Sequence, residues 1–137
     1  MNKDNKIIYL ISGRARNGKG TLSKILKEEY EKRKYRVCEI QIMRTLKGYL
    51  KDYFNWDGSE ETKPRKMLQQ IGTDIIRDEM NLPYFHIDRL TEDIKVLSNF
   101  FDVFIVSDIR LPLEIETIKS RFDNVISINI TRPNYVS

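Results

Sequence analysis

Gly13-Arg14-Ala15-Arg16-Asn17-Gly18-Lys19-Gly20-Thr21 brings together two glycines, a lysine and a hydroxyl at the spacing of a P-loop. Such a loop binds phosphate. Gly13 and Gly18 permit backbone angles that other residues resist. Backbone N–H groups and the positive end of the following helix then converge on the anion. Lys19 adds a point charge for the terminal phosphates. The expected nucleotide contacts are Gly13, Arg16, Asn17, Gly18, Lys19, Gly20 and Thr21.

A second chemical element lies about 90 residues downstream, where the apolar run Phe104-Ile105-Val106-Ser107 ends in Asp108. A carboxylate at the end of a buried strand beside the phosphate loop has the Walker B pattern and sits where Mg²⁺ and phosphates meet. The bland alternative is an aspartate in a turn. Arg110 falls two residues later at the same edge and can grip phosphate bidentately. Its alternative is a surface ion pair with Glu114 or Glu116. Lys19, Asp108 and Arg110 are the catalytic candidates. Transfer of a phosphoryl group needs positioning and charge neutralisation more than a base. The sole histidine, His86, is therefore assigned a packing or surface role.

Positioning these groups requires strands and helices in alternation. Lys6 to Ser12 reads as a buried strand, and Gly18 to Arg33 as a helix with Leu22, Ile25, Leu26 and Tyr30 on one face. Tyr35 to Ile42 is the second strand. Arg44 to Phe54 is the next helix, followed by a turn cluster at residues 55–59. Thr62 is a candidate cap, with Pro64 in the first turn of a helix reaching Asp78. Phe85 to Leu97 is helical, Phe101 to Ser107 is a strand, Pro112 opens a helix, and Asn124 to Ile130 is the last strand. The pattern implies an α/β fold: a three-layer α/β/α P-loop domain with a parallel sheet covered on both faces. Ligands in such sheets bind at the carboxyl ends of the strands.

The chain of 137 residues suits one domain, with residues 43–98 inserted between the second and third strands. That insertion of roughly 60 residues exceeds a simple crossover of about 10–12. It is expected to hold the acceptor through Arg44, Lys47, Gln70, Thr73, Asp74 and Arg77, with Arg77 the best candidate for an acceptor phosphate. Trp56, Tyr53 and Tyr84 are candidates for stacking on a base, against the commoner role of aromatics as core. With 32% charged and 40% hydrophobic residues the composition is that of an ordinary globular chain. No apolar run approaches a membrane span. No leader core is present at the N-terminus, and Cys38 alone spells no disulfide or cysteine metal site. Cys38, within the second strand, is expected to be a buried thiol. These features point to the cytoplasm. The net charge of +4 is spread among interleaved acids and bases, so no dedicated nucleic-acid surface is expected.

The Gly-Lys-Gly-Thr ending resembles nucleoside monophosphate kinases, in which the metal is held largely through water. Leu68 to Arg77 (LQQIGTDIIR) and Val106 to Pro112 (VSDIRLP) narrow the likeness. Together these segments look like the phage-type deoxynucleoside monophosphate kinases, over most of the chain from Ile7 to about Arg132. The resemblance implies transfer of the ATP γ-phosphate to a (deoxy)nucleoside monophosphate, with ATP and Mg²⁺. Lys19 would neutralise the transferring group, and Asp108 would organise the metal through water. Arg77 and Arg110 would hold acceptor or transferring phosphate, and Thr21 would touch phosphate rather than metal. Nucleotides are the expected partners, without membrane; a homodimer is allowed. A Ser-Asp-x-Arg element also resembles phosphomevalonate kinases, which leaves another phosphorylated acceptor open. The family continues into an arginine-bearing lid. Here only Arg132 stands as a lid-type cation, so the lid is expected to be missing or truncated. A nucleotide-binding module that has lost catalysis is the remaining alternative.

Overall fold

Ile7-Ile8-Tyr9-Leu10-Ile11 is rich in β-branched and aromatic side chains, with no polar residue to mark a solvent face. In the computed structural model, which describes residues 6–14 and 18–131, it forms strand β1 (Ile7–Gly13). β1 lies between two parallel neighbours, β3 (Val103–Ile109) and β4 (Val125–Ile130). The short β2 (Val37–Glu39) pairs with the far side of β3, also in parallel. The four strands run in the order β2-β3-β1-β4. Ile8, Tyr9, Leu10 and Ile11 are all buried, as are Val103 to Val106, because a parallel sheet is covered on both faces. The edge strand β4 departs from this, and its Ile126 is exposed.

Tyr9, Ile11, Val37, Val103 and Ile105 form the core of one sheet face. Helix α1 (Lys19–Lys32) covers it with Leu22, Leu26 and Tyr30, spaced so that they share one helical stripe. The same spacing leaves Ile25 exposed. The Tyr9 and Tyr30 hydroxyls share a short hydrogen bond, and burial with that bond pushes the Tyr9 phenol up to about 12. α1 ends in a Schellman motif. The Tyr35 N–H donates to the Tyr30 carbonyl at 3.1 Å, and the Lys34 N–H to the Glu31 carbonyl at 3.0 Å. Lys34 occupies the left-handed position at φ 70°, where glycine is usual. On the opposite sheet face Ile8, Leu10, Phe104 and Val106 are equally buried. Ile94 of α4 (Phe85–Leu97) and Ile118 of α5 (Pro112–Arg121) are buried too, which is compatible with a three-layer arrangement.

The strand expected over residues 35–42 shrinks to Val37–Glu39. Arg36 is instead tied to Asp102, and the chain turns at residues 42–43 into the next helix. Ile40 still donates one bond to the Ile105 carbonyl at 3.0 Å, and Ile40 and Ile42 remain buried. Cys38 is half-buried rather than fully buried.

The chain divides into two compact units, Met1–Gln41 with Thr91–Ser137, and Ile42–Leu90. The second unit contains α2 (Arg44–Tyr53), whose Leu46 and Leu50 are fully buried. It also contains α3 (Arg65–Gln69), which continues as a π-helix over Gln70–Glu79. Thr62 is not the cap of α3; its hydroxyl donates to Asp57 at 2.6 Å, and Pro64 stands at the helix start. At roughly 4.4 residues per turn, π winding gathers Ile71, Ile75 and Ile76 into an arc of roughly 80°, against roughly 140° on an α-helix. Gly72 lies where a Cβ would come 3.1 Å from Leu46 Cδ2, so a larger residue would need the Leu46 side chain to give way by a few tenths of an ångström. Among the described residues no helix is long and apolar enough to cross a membrane.

Candidate phosphate site

The connections leaving β1 and β3 diverge. The chain after β1 passes through α1 toward the β2 edge, and the chain after β3 passes through α5 to β4 at the other edge. Strand order therefore reverses between two adjacent parallel strands. In an open parallel sheet this opens a crevice at their carboxyl ends, the usual place for a ligand.

Gly13 ends β1 at the crevice with φ 146°. A Cβ there would lie 2.7 Å from the Ile130 carbonyl oxygen of β4, so both the backbone angle and the space demand glycine. Gly18 precedes α1 at φ 96°, with nothing among the described residues within 4 Å of where a Cβ would stand. Its need for glycine is conformational. The first intrahelical bond runs from the Leu22 N–H to the Gly18 carbonyl at 2.9 Å. Among the described residues no side chain caps this end, and no acid lies in the first turn. The N–H groups of Lys19, Gly20 and Thr21 belong to the first turn of α1, the end of a helix at which partial positive charge accumulates. Gly20 and Thr21 are exposed, and Lys19 is half-buried. Arg16, Asn17 and Arg132 lie outside the described residues.

On β3 the pairing slips. Leu10 pairs with Val106, but Ser12 pairs with Ile109, so two steps along β1 match three along β3. The extra residue makes a β-bulge at Ser107–Asp108. Burial follows the bulge: Val106 and Ile109 are buried, while Ser107 and Asp108 between them are half-exposed. Asp108 therefore reaches the surface from inside an otherwise buried strand, rather than from beyond its end as the sequence suggested.

Arg110 follows the strand and is exposed. Among the described residues its guanidinium makes no ion pair. The alternative pairing with Glu114 takes another form. Glu114 is buried, and its Oε1 accepts the backbone N–H groups of both Arg110 and Leu111 at 2.8 Å each. This is the glutamate half of a capping box; Leu111 has no side-chain acceptor to complete it. Glu114 fixes the turn that carries Arg110. The spacing Leu-Pro-x-Glu, with proline at the first helical position, was the available signal for it.

The acceptor candidates all lie in the second unit. Arg44 and Lys47 occupy the first turn of α2; Arg44 is exposed and Lys47 half-buried. On the π-helix Gln70, Asp74 and Arg77 are exposed and Thr73 is half-buried. π winding sorts them into two neighbouring pairs, Gln70 with Asp74 and Thr73 with Arg77. Seven residues nearly close two α turns but fall far short of two π turns, so Gln70 and Arg77 point well apart.

Trp56 is not core. It is half-buried beside a cavity of about 360 Å³, with Phe54, Asp57, Thr62, Pro64 and Met67 around it. Its Nε1 donates to the Ser59 carbonyl at 3.1 Å, and Lys51 Nζ stands 5.8 Å from the ring centroid. Asp57 organises this loop. The Thr62 hydroxyl and then the Ser59 N–H bond its carboxylate and hold it down to about 2. Tyr53 and Tyr84 are exposed. His86 packs edge-on against Phe85 at 5.2 Å between centroids, as its packing assignment anticipates.

The donor set suits a magnesium ion held mostly by its ligand. Mg²⁺ takes one or two carboxylates and completes its shell with phosphate and water. Asp108 can supply one hard oxygen on the strand next to the one that Gly13 ends. Among the described residues no three His, Cys, Asp or Glu side chains cluster as a metal cage. Comparison of the sequence with protein-family models and with curated proteins finds no match.

Proposed function

We propose that the chain is a P-loop phosphotransferase that moves the γ-phosphoryl group of ATP to a nucleoside monophosphate. The observation that carries this reading is one juxtaposition within the sheet unit. Gly13 ends β1 at positive φ, Gly18 precedes α1 with no side-chain cap among the described residues, and a bulge on the adjacent β3 carries the half-exposed Asp108 near the carboxyl end of that strand. Anion donors and a carboxylate at one strand switch point are the combination that a metal-bound polyphosphate requires.

In this reading the first-turn N–H groups and Lys19 hold the β- and γ-phosphates. Asp108 would hold Mg²⁺, which when bound would supply neutralisation of phosphate charge. Arg110, on its Glu114-fixed turn, offsets charge on the transferring group. An acceptor phosphate oxygen bonds to the γ-phosphorus as the bond to the β,γ-bridging oxygen breaks, and ADP leaves. Arg44, Lys47 and Arg77 supply cations for the acceptor phosphate, and the Trp56 cavity suits its base. Arg16, Asn17 and Arg132 complete the proposed nucleotide contacts.

The test is ADP release from Mg-ATP with a panel of deoxy- and ribonucleoside monophosphates, plus phosphomevalonate as the competing acceptor. The expected result is ADP formed with one nucleotide class and reduced about 10²–10³-fold by Lys19→Ala. ATP binding with no acceptor-dependent ADP would refute transfer.

A further inference from the structure

At the other end of β1 lies a cavity of about 270 Å³ that the phosphate chemistry does not use. Ile8, at its wall, precedes Gly13 by five residues, so roughly 17 Å of strand separates it from the phosphate loop. Its wall combines two surfaces. Ile8 and Ile94, 2% and 1% exposed, with Phe122, make it apolar. Lys6, Lys95 and Arg121 bring positive charge to it, with Asp123 as the carboxylate among the described lining residues.

Two of these cations are held in place. Arg121 Nη1 donates to Thr91 Oγ1 at 3.0 Å, and Thr91 is itself only 3% exposed. Lys6 Nζ bonds Asp102 Oδ1 at 3.1 Å, and the same carboxylate receives Arg36 Nη2 at 3.0 Å. Lys95 stands exposed at the rim. Among the described residues the cations Lys6, Lys95 and Arg121 outnumber the carboxylates Asp123 and Asp102 around an apolar hollow, which favours an anion with an apolar body over either a bare anion or a neutral ring. A cavity of about 150 Å³ accepts benzene, so this one admits a single ring with a charged head, while drug-sized ligands need more room.

We propose that this cavity is a second binding site, separate from the phosphate loop, for a small monoanion with an apolar body, of the aromatic carboxylate class. The ring lies against Ile8, Ile94 and Phe122, and the carboxylate meets Arg121 and Lys95. Arginine suits that role because its planar fork matches two carboxylate oxygens.

Titration of the full chain with benzoate, benzamide and inorganic phosphate, followed by amide NMR, tests this. Benzoate should give saturable shifts centred on the amides of Lys95, Phe122 and Asn124. Benzamide should bind at least about fivefold more weakly, and inorganic phosphate should leave these amides in place. Arg121→Gln should weaken benzoate by a similar factor. Lys95→Glu, at an exposed rim position that does not threaten folding, should weaken it about as much. The proposal is overturned by any of three results: no saturable benzoate shifts at roughly 10 mM, equal binding of benzamide, or unchanged affinity in Lys95→Glu.

Discussion

Alanine substitutions at Gly13 and Gly18 separate two reasons for needing glycine. Both positions have positive φ, 146° and 96°, so both variants carry backbone strain of about 1–3 kcal/mol. Only at Gly13 does the new Cβ also collide, 2.7 Å from a backbone oxygen of β4 that no rotamer change can move. Shifting β4 adds an overpacking cost of about 1–3 kcal/mol. Gly13→Ala should therefore lose about 2–6 kcal/mol of stability and Gly18→Ala about 1–3 kcal/mol. For a chain of this size each kcal/mol lowers Tm by about 3–5 °C, so the two variants should melt several degrees apart. Urea unfolding followed by circular dichroism measures both. The reasoning fails if the two variants have the same unfolding midpoint, or if Gly18→Ala is the less stable.

Glu114→Ala removes the acceptor for two backbone N–H groups and should cost about 1–3 kcal/mol, with Glu114→Gln recovering part of it; the urea midpoints give the order. Lys34→Gly relieves a left-handed residue in the α1 Schellman motif and should stabilise the chain by up to about 1 kcal/mol, read as a higher Tm. The Arg36 guanidinium, followed by the Arg36 N–H and Lys6, holds the Asp102 carboxyl well below the usual range. Its folded pKa is depressed, so its contribution is complete above the ordinary value of 3.8 and is lost as pH falls below it. Asp102→Asn should flatten the stability profile on that acid limb only, in unfolding curves taken from neutral pH downward. Tyr9 has the opposite sign. Its phenol is pushed up to about 12 by burial and by the Tyr30 hydrogen bond, so its stabilisation is complete below pH 10 and declines as pH rises toward 12. Tyr9→Phe should remove that alkaline decline, and an unchanged slope would count against the burial argument.

Short-range signals were enough for much of this molecule. The helix Phe85–Leu97 is legible residue for residue, because its apolar positions recur at helical spacing between a proline and a polar stop. β1 and β3 are legible because strands buried on both faces leave unbroken apolar runs. The glycine loop, with a strand before it and a helix after it, is local as well, and so is the Leu-Pro-x-Glu turn that holds Arg110. Other features exist only between elements. The length of β2 depends on what its edge can pair with, so an eight-residue apolar alternation yields a three-residue strand. The bulge that presents Asp108 is a mismatch of register between β1 and β3, and register is a property of two strands. The winding of Gln70–Glu79 is decided by packing. Its hydrogen bonds shift to the π spacing, which narrows the isoleucine face and lets Gly72 approach Leu46, and this redistributes polar residues that an α-helical period would align. Strand order is tertiary in the same way. The sequence by itself determined where the strand, the glycines Gly13 and Gly18 and the following helix fall, because those signals are local. Only the tertiary structure decided that β1 and β3 lie side by side at a reversal of strand order, because pairing between segments distant along the chain is chosen by burial of the whole sheet.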